Sequence, residues 1–85
     1  MCNVFRKQLG QQVQLLRKAR GLTQENLSLE SDISRSHIAM IEAGKRDVTV
    51  SSMFKISRAL GVTLAEIFAF DDLEKFKFDI EELYK

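Results

Sequence analysis

The chain has no proline and no tryptophan, a single cysteine, a single histidine and only four glycines in 85 residues. So little proline and glycine disfavours long irregular loops and points to helices joined by short connections. The lone thiol, Cys2, cannot close an internal disulfide, which fits a reducing cytoplasmic setting. One cysteine and one histidine also supply too few ligands for a zinc-type metal site. No apolar run approaches the roughly 20 residues a membrane span requires, and no signal-peptide pattern is present. The chain lacks a nucleophile–base set, a glycine-rich phosphate loop and a carboxylate pair in a plausible cleft. An enzyme is therefore not expected, and neither is a cofactor.

What is present is enough apolar material, 45% of the chain, for one domain with one core. The net charge of +1 conceals an uneven distribution. Residues 1–46 hold eight bases against four acids, whereas residues 47–85 hold five bases against eight acids. A basic half and an acidic half point to a polyanion-facing end and an end with another role. Ordinary surface charge explains an imbalance of this size equally well, so the charge alone decides nothing.

Helix starts follow one local pattern. Leu22-Thr23, Ile33-Ser34, Val48-Thr49 and Val62-Thr63 are each followed, five residues after the apolar member, by Leu27, Ile38, Met53 or Ile67. The hydroxyl caps the first free amides, and the two apolar residues form a hydrophobic staple. Thr63 to Glu66 is in addition a capping box. Gly21, Gly44 and Gly61 sit where helices stop, and Gly10, inside the first helix, marks a close helix crossing. The pattern predicts helices near residues 4–20, 24–31, 35–43, 50–60 and 64–70. The first presents Phe5, Leu9, Val13 and Leu16 on one face. The fourth buries Met53, Ile56 and Leu60, with Phe54 or Ala59 at the edge of the stripe.

The second and third helices, joined by a tight turn, carry the functional signal. With Arg35 in the first turn of the third helix, Ile38 and Ile41 point inward. Ser36, Ala39, Met40 and Ala43 then point outward, flanked by Arg35 and His37. A face meant only for water is rarely built of Ser, Ala, Met and Ala. Small residues allow close approach to a DNA groove, and a methionine can meet a thymine methyl. Arg35 is the candidate for a bidentate contact to guanine, and Ser36 for a base edge or a phosphate. His37 suits a neutral phosphate or stacking contact. Gln24 reaches a phosphate or braces the third helix, and Lys45 and Arg46 suit backbone anchoring. Arg17 and Glu42 are placed to form a partly buried, structural ion pair.

Residues 71–85 form an acidic-aromatic extension. Leu73, Phe76, Ile80 and Leu83 have helical spacing, whereas Phe76, Phe78 and Ile80 alternate as in a strand. Either form needs an apolar surface to pack on, in a dimer, in a protein partner or on its own domain. The division expected is a DNA-binding domain over residues 1–70 and an extension over 71–85. The contact residues for a dimer or partner are Phe68, Phe70, Leu73, Phe76, Phe78 and Ile80.

From about Leu9 to Phe68 the chain resembles the phage-repressor-like helix-turn-helix regulators, the Cro, lambda repressor and Xre-type family. The resemblance rests on Leu16-Arg17-Lys18, Gly21 to Leu27, Ile33-Ser34-Arg35, Ile38, Ile41 to Arg46 and Ala59 to Val62. It implies an all-α, compact five-helix lambda-repressor-like DNA-binding domain with a short C-terminal extension. It implies that Gln24, Ser34, Arg35, Ser36, His37 and Met40 approach DNA and that Arg17 pairs with Glu42. Within the family the chain looks most like the small controller proteins of restriction–modification systems, which dimerise through their last helices. Two positions depart from the family pattern: Asp32 stands where glycine is frequent in the turn, and Ser28 where alanine is frequent. The function expected is a cytoplasmic, sequence-specific regulator, a homodimer on a palindromic operator in double-stranded DNA, acting on its own gene. The competing expectations are an antitoxin-like regulator whose extension grips a partner protein, and an interaction module that has lost DNA binding.

Overall fold

Five helices follow one another with no strand among the described residues: α1 (Asn3–Ala19), α2 (Gln24–Ser31), α3 (Arg35–Glu42), α4 (Val50–Leu60) and α5 (Leu64–Ile67). The structure is a computed structural model and describes residues 3–70. The expectations placed on Leu73, Phe76, Phe78 and Ile80 lie outside the described residues. No described helix is long and apolar enough to cross a membrane.

The starts and stops are chemically repetitive. Thr23, Ser34, Thr49 and Thr63 each accept a hydrogen bond from the backbone N–H three residues on, at 3.0 to 3.2 Å. The staple partners Leu27, Ile38, Met53 and Ile67 are almost fully buried. α2 carries a second capping box, in which the Thr23 N–H donates back to the Asn26 side chain at 3.1 Å. α1, α3 and α4 end in the same double closure. Leu22 N–H reaches the Arg17 carbonyl, Lys45 the Met40 carbonyl and Val62 the Ser57 carbonyl, each over a left-handed glycine. In two of the three cases the residue after that glycine is itself the staple residue of the next helix. One helix therefore stops where the next is already being aimed.

The core is shared by all five helices: Leu9 and Val13 from α1, Leu27 from α2, Ile38 and Ile41 from α3, Met53, Ile56, Ala59 and Leu60 from α4, and Ile67 from α5. α3 packs on α1 and α2, α2 also packs on α4, and α5 closes against α1 and α4. Gly10 makes the α1–α3 contact possible. A Cβ there would lie 2.4 Å from the Ile41 carbonyl oxygen and 2.7 Å from that of Glu42. The end of α3 is thus pressed directly onto the α1 backbone.

One expectation is corrected and one open alternative is decided. α5 does not run to residue 70; it stops after Ile67, with Phe68 as its C-cap. Phe68 and Phe70 both pack on Phe5, each with ring centroids 6.0 Å away. Residues two apart on a helix point to different sides, so a continued helix could not bring both rings to one partner. Ala59, rather than Phe54, completes the buried stripe of α4: Ala59 is 8% exposed and Phe54 50%.

Candidate nucleic-acid interface

The turn between α2 and α3 is set by two side chains. Asp32 adopts φ 60° and ψ 35° and closes α2 through its N–H to the Ser28 carbonyl. A short polar side chain tolerates this left-handed geometry better than most. The Ser28 hydroxyl donates to the Ile33 carbonyl at 2.5 Å, across the same turn. Alanine at this position would fill the space and leave that carbonyl without the bond. Ile33 and Ile38 are then buried together, which fixes where α3 begins.

At the other end of α3, Glu42 organises three elements. Arg17 Nε donates to one carboxylate oxygen at 2.7 Å and Arg17 Nη2 to the other at 3.0 Å. Arg17 Nη1 donates to the Leu22 carbonyl at 2.8 Å, ahead of α2. Gln24 Nε2 donates to the same Glu42 carboxylate at 3.1 Å. The two charged side chains are only 9% and 3% exposed. Donating to the Glu42 carboxylate holds the Arg17 guanidinium protonated, above its ordinary value. One carboxylate therefore ties α1, the start of α2 and the end of α3 into a single unit. Of the two roles expected for Gln24, bracing is the one with a bond in place.

With both ends held, α3 presents a consistent outward side. Ser34, Arg35, Ser36 and Met40 are exposed, and Met40 is 40% exposed despite being apolar. Ala39 is half-buried between them. His37 is half-buried as well, and its Nε2 is enclosed with no hydrogen-bond partner among the described residues. It is less open to solvent than its neighbours on the helix. Lys45 and Arg46 are exposed in the loop that follows. Lys45 is fixed by its N–H to the Met40 carbonyl. The next residue, Asp47, forms an ion pair with Arg6 at 3.5 Å, which ties the loop to the first turns of α1. The arrangement brings Gln24, Ser34, Arg35, Ser36, Met40, Lys45 and Arg46 around α3. It offers hydroxyl, guanidinium and ammonium donors beside one soft apolar contact, a set suited to base edges and phosphates.

A second feature was only partly foreseen. Phe5, Val48, Thr49, Val50, Met53, Leu64 and Phe68 line an apolar depression of about 220 Å³. Val50 is 78% exposed and Phe54 50%. Of the expected contact residues, Phe68 lines this depression and Phe70 is half-buried beside it on Phe5. Val50 was missed because a helix-start valine carries no periodic signal, and Phe54 was weighed only as the edge of the buried stripe.

The comparisons with known proteins agree with this geometry. The helix-turn-helix family model matches residues 13–67. The control protein C.MunI from a Mycoplasma species is 38% identical over 86% of this chain and 97% of its own length. The control protein C.BamHI from Bacillus amyloliquefaciens is also 38% identical, over 82% of this chain and 88% of its own. Among solved structures, the restriction-modification controller protein C.AhdI from Aeromonas hydrophila superposes with a TM-score of 0.73. It is 35% identical, over 74% of this chain and 96% of that one. The chain belongs to the helix-turn-helix family of DNA-binding transcriptional regulators and is of the controller-protein type.

Proposed function

We propose that the chain is a sequence-specific regulator that binds a palindromic operator as a homodimer and controls its own gene, within a restriction–modification system. The observation that carries this reading is the clamped third helix. Its exposed side holds Arg35, Ser36 and Met40 in fixed register, while Glu42 locks its far end to α1 and α2. A helix held at both ends can enter a major groove without losing its orientation.

In this reading Arg35 pairs with a guanine, Ser34 and Ser36 contact a base edge or a phosphate, and Met40 meets a thymine methyl. Lys45, Arg46 and His37 contact the backbone, and Gln24 braces the Glu42 end of α3. Residues 1–70 are the DNA-binding domain. The exposed apolar face of α4 and α5, with the extension over residues 71–85, serves the contact between copies. Two half-sites then lie about one helical turn, roughly 10 base pairs, apart.

The test is binding of the full chain to DNA upstream of its own gene, against scrambled DNA, at two salt concentrations. Tight, salt-sensitive binding with preference for the upstream DNA supports an autoregulator. Salt-sensitive binding without preference moves the target to another gene. Failure to bind either DNA, with a stably copurifying protein, replaces this reading with the antitoxin-like one.

A further inference from the structure

The start of α1 lies against the loop that follows α3, at two points. A Cβ at Gly44 would stand 3.0 Å from the Lys7 Cα, 3.1 Å from its Cγ and 3.2 Å from its N. The loop backbone thus rests on the main chain and stem of Lys7. Further along the loop, Asp47 pairs with Arg6 at 3.5 Å, and the Arg6 guanidinium also donates to the Asn3 side chain. Between these two points the loop carries Lys45 and Arg46.

Lys7, Lys45 and Arg46 are all exposed. Among the described residues none of the three forms an ion pair. The two acids closest to them in the chain, Glu42 and Asp47, are already engaged by Arg17 and Arg6. Three cations therefore stand together on the rim of the α3 surface with no carboxylate left over to neutralise them. Lys7 lays its stem on Gly44 while remaining exposed, the habit of a lysine that keeps its ammonium in water. An exposed lysine is ordinarily a solvated charge and nothing more. Lys7 differs in its place, directly against the loop whose two cations belong to the DNA-facing set. Lys55 offers the contrast, since it lies on α4 in a groove it shares with Glu30.

We propose that Lys7 is a DNA-phosphate contact, so that the backbone track of Lys45 and Arg46 continues onto the start of α1. The proposal rests on the reading of Lys45 and Arg46 as phosphate contacts, and it adds a further helix to the DNA surface. An ammonium binds phosphate as a point charge and needs no two-point geometry. Lys7 therefore contributes affinity and register but no base preference. Arg6 has a different part: it offsets the one acid of the loop and ties the loop to α1.

The experiment is fluorescence anisotropy of the full chain on two duplexes, the DNA upstream of its own gene and a random sequence of equal length, at several salt concentrations. Lys7→Gln should bind both duplexes several-fold more weakly, keep the ratio between them, and lower the salt slope by about one. Its melt should match that of the unmodified chain, because Lys7 is exposed and glutamine is a good helix former. Lys7→Arg should keep the slope. Lys55→Gln removes the same charge from α4 and should leave the slope nearly unchanged. An unchanged slope in Lys7→Gln, while Lys45→Ala and Arg46→Ala each lower it, overturns this proposal alone and ends the track at the loop. If those two variants also leave the slope unchanged, or the unmodified chain binds neither duplex, the anchoring reading falls with it. An equal drop in slope for Lys55→Gln overturns the proposal too, because the effect is then one of net charge rather than of contact.

Discussion

Arg17 and Glu42, 25 residues apart in sequence, meet through two parallel hydrogen bonds of 2.7 and 3.0 Å at a nearly dry site. Taking two charges out of water is unfavourable, and only the close two-point geometry and the extra bonds to Leu22 and Gln24 offset it. Removing one partner strands the other. Glu42→Ala should therefore cost about 3 kcal/mol of stability, read from a urea melt. The loss matters in a domain whose total is about 5–15 kcal/mol. Loss of less than about 1 kcal/mol would show the pair to be solvated instead. Arg17 is raised above its ordinary value, so its contribution is complete at all pH values below the unfolded value. It disappears only in strong alkali, and the Arg17 side of the pair adds no pH dependence near neutrality.

The contact at Gly10 predicts a different kind of loss. Alanine is the better helix former by about 1 kcal/mol, so Gly10→Ala on an isolated helix would stabilise it. In this fold the new Cβ meets the Ile41 and Glu42 carbonyl oxygens at 2.4 and 2.7 Å, and backbone cannot swing aside as a side chain can. Overpacking of this kind costs about 1–3 kcal/mol or more. The expected outcome is a lower denaturation midpoint together with weaker operator binding, because the end of α3 is what moves. An unchanged or raised midpoint would show that α1 and α3 separate easily.

The contrast between these residues shows which features a sequence exposes. The caps and staples at Thr23, Ser34, Thr49 and Thr63 are decided within five or six residues, so the helix starts could be placed directly. Gly10 inside a helix pointed to a close crossing but not to its partner, which is α3, more than thirty residues away in sequence. The end of α5 could not be placed, because it depends on Phe5, more than sixty residues away, drawing in both Phe68 and Phe70. The Ser28 bond across the turn and the Asn26 capping box were missed for a smaller reason. Serine at that position satisfied the size requirement, and asparagine is not the usual third member of the box.

Base readout and phosphate anchoring should separate by mutation. Arg35→Ala should cost about 1–3 kcal/mol on the operator and relax preference at one position per half-site, with little effect on random DNA. Lys45→Ala and Arg46→Ala should each weaken operator and random DNA alike and lower the salt slope by about one. Fluorescence anisotropy at several salt concentrations distinguishes the two classes. If Arg35→Ala loses equally on both DNAs, Arg35 is a phosphate contact and the readout must come from Ser36 and Met40.

The exposed side of α4 can be tested with a substitution that spares the fold. Val50 is 78% exposed and is the first residue of α4, directly after its cap. An acidic residue there is favourable to the helix, because the first turn carries the positive end of the helix dipole. Val50→Asp should therefore melt like the unmodified chain, while placing a charge at the rim of the apolar depression formed by Phe5, Met53, Leu64 and Phe68. If copies pair through this face, sedimentation velocity should show the variant as a monomer at concentrations where the unmodified chain is a dimer. Its affinity for a full palindrome should fall far more than its affinity for a single half-site, since only the linkage between two bound copies is lost. Removal of residues 71–85 provides the complementary arm. A truncated chain that is monomeric while Val50→Asp remains dimeric would assign the pairing to the extension. If both variants remain dimeric, the copies meet on neither surface and the half-site spacing must be measured afresh.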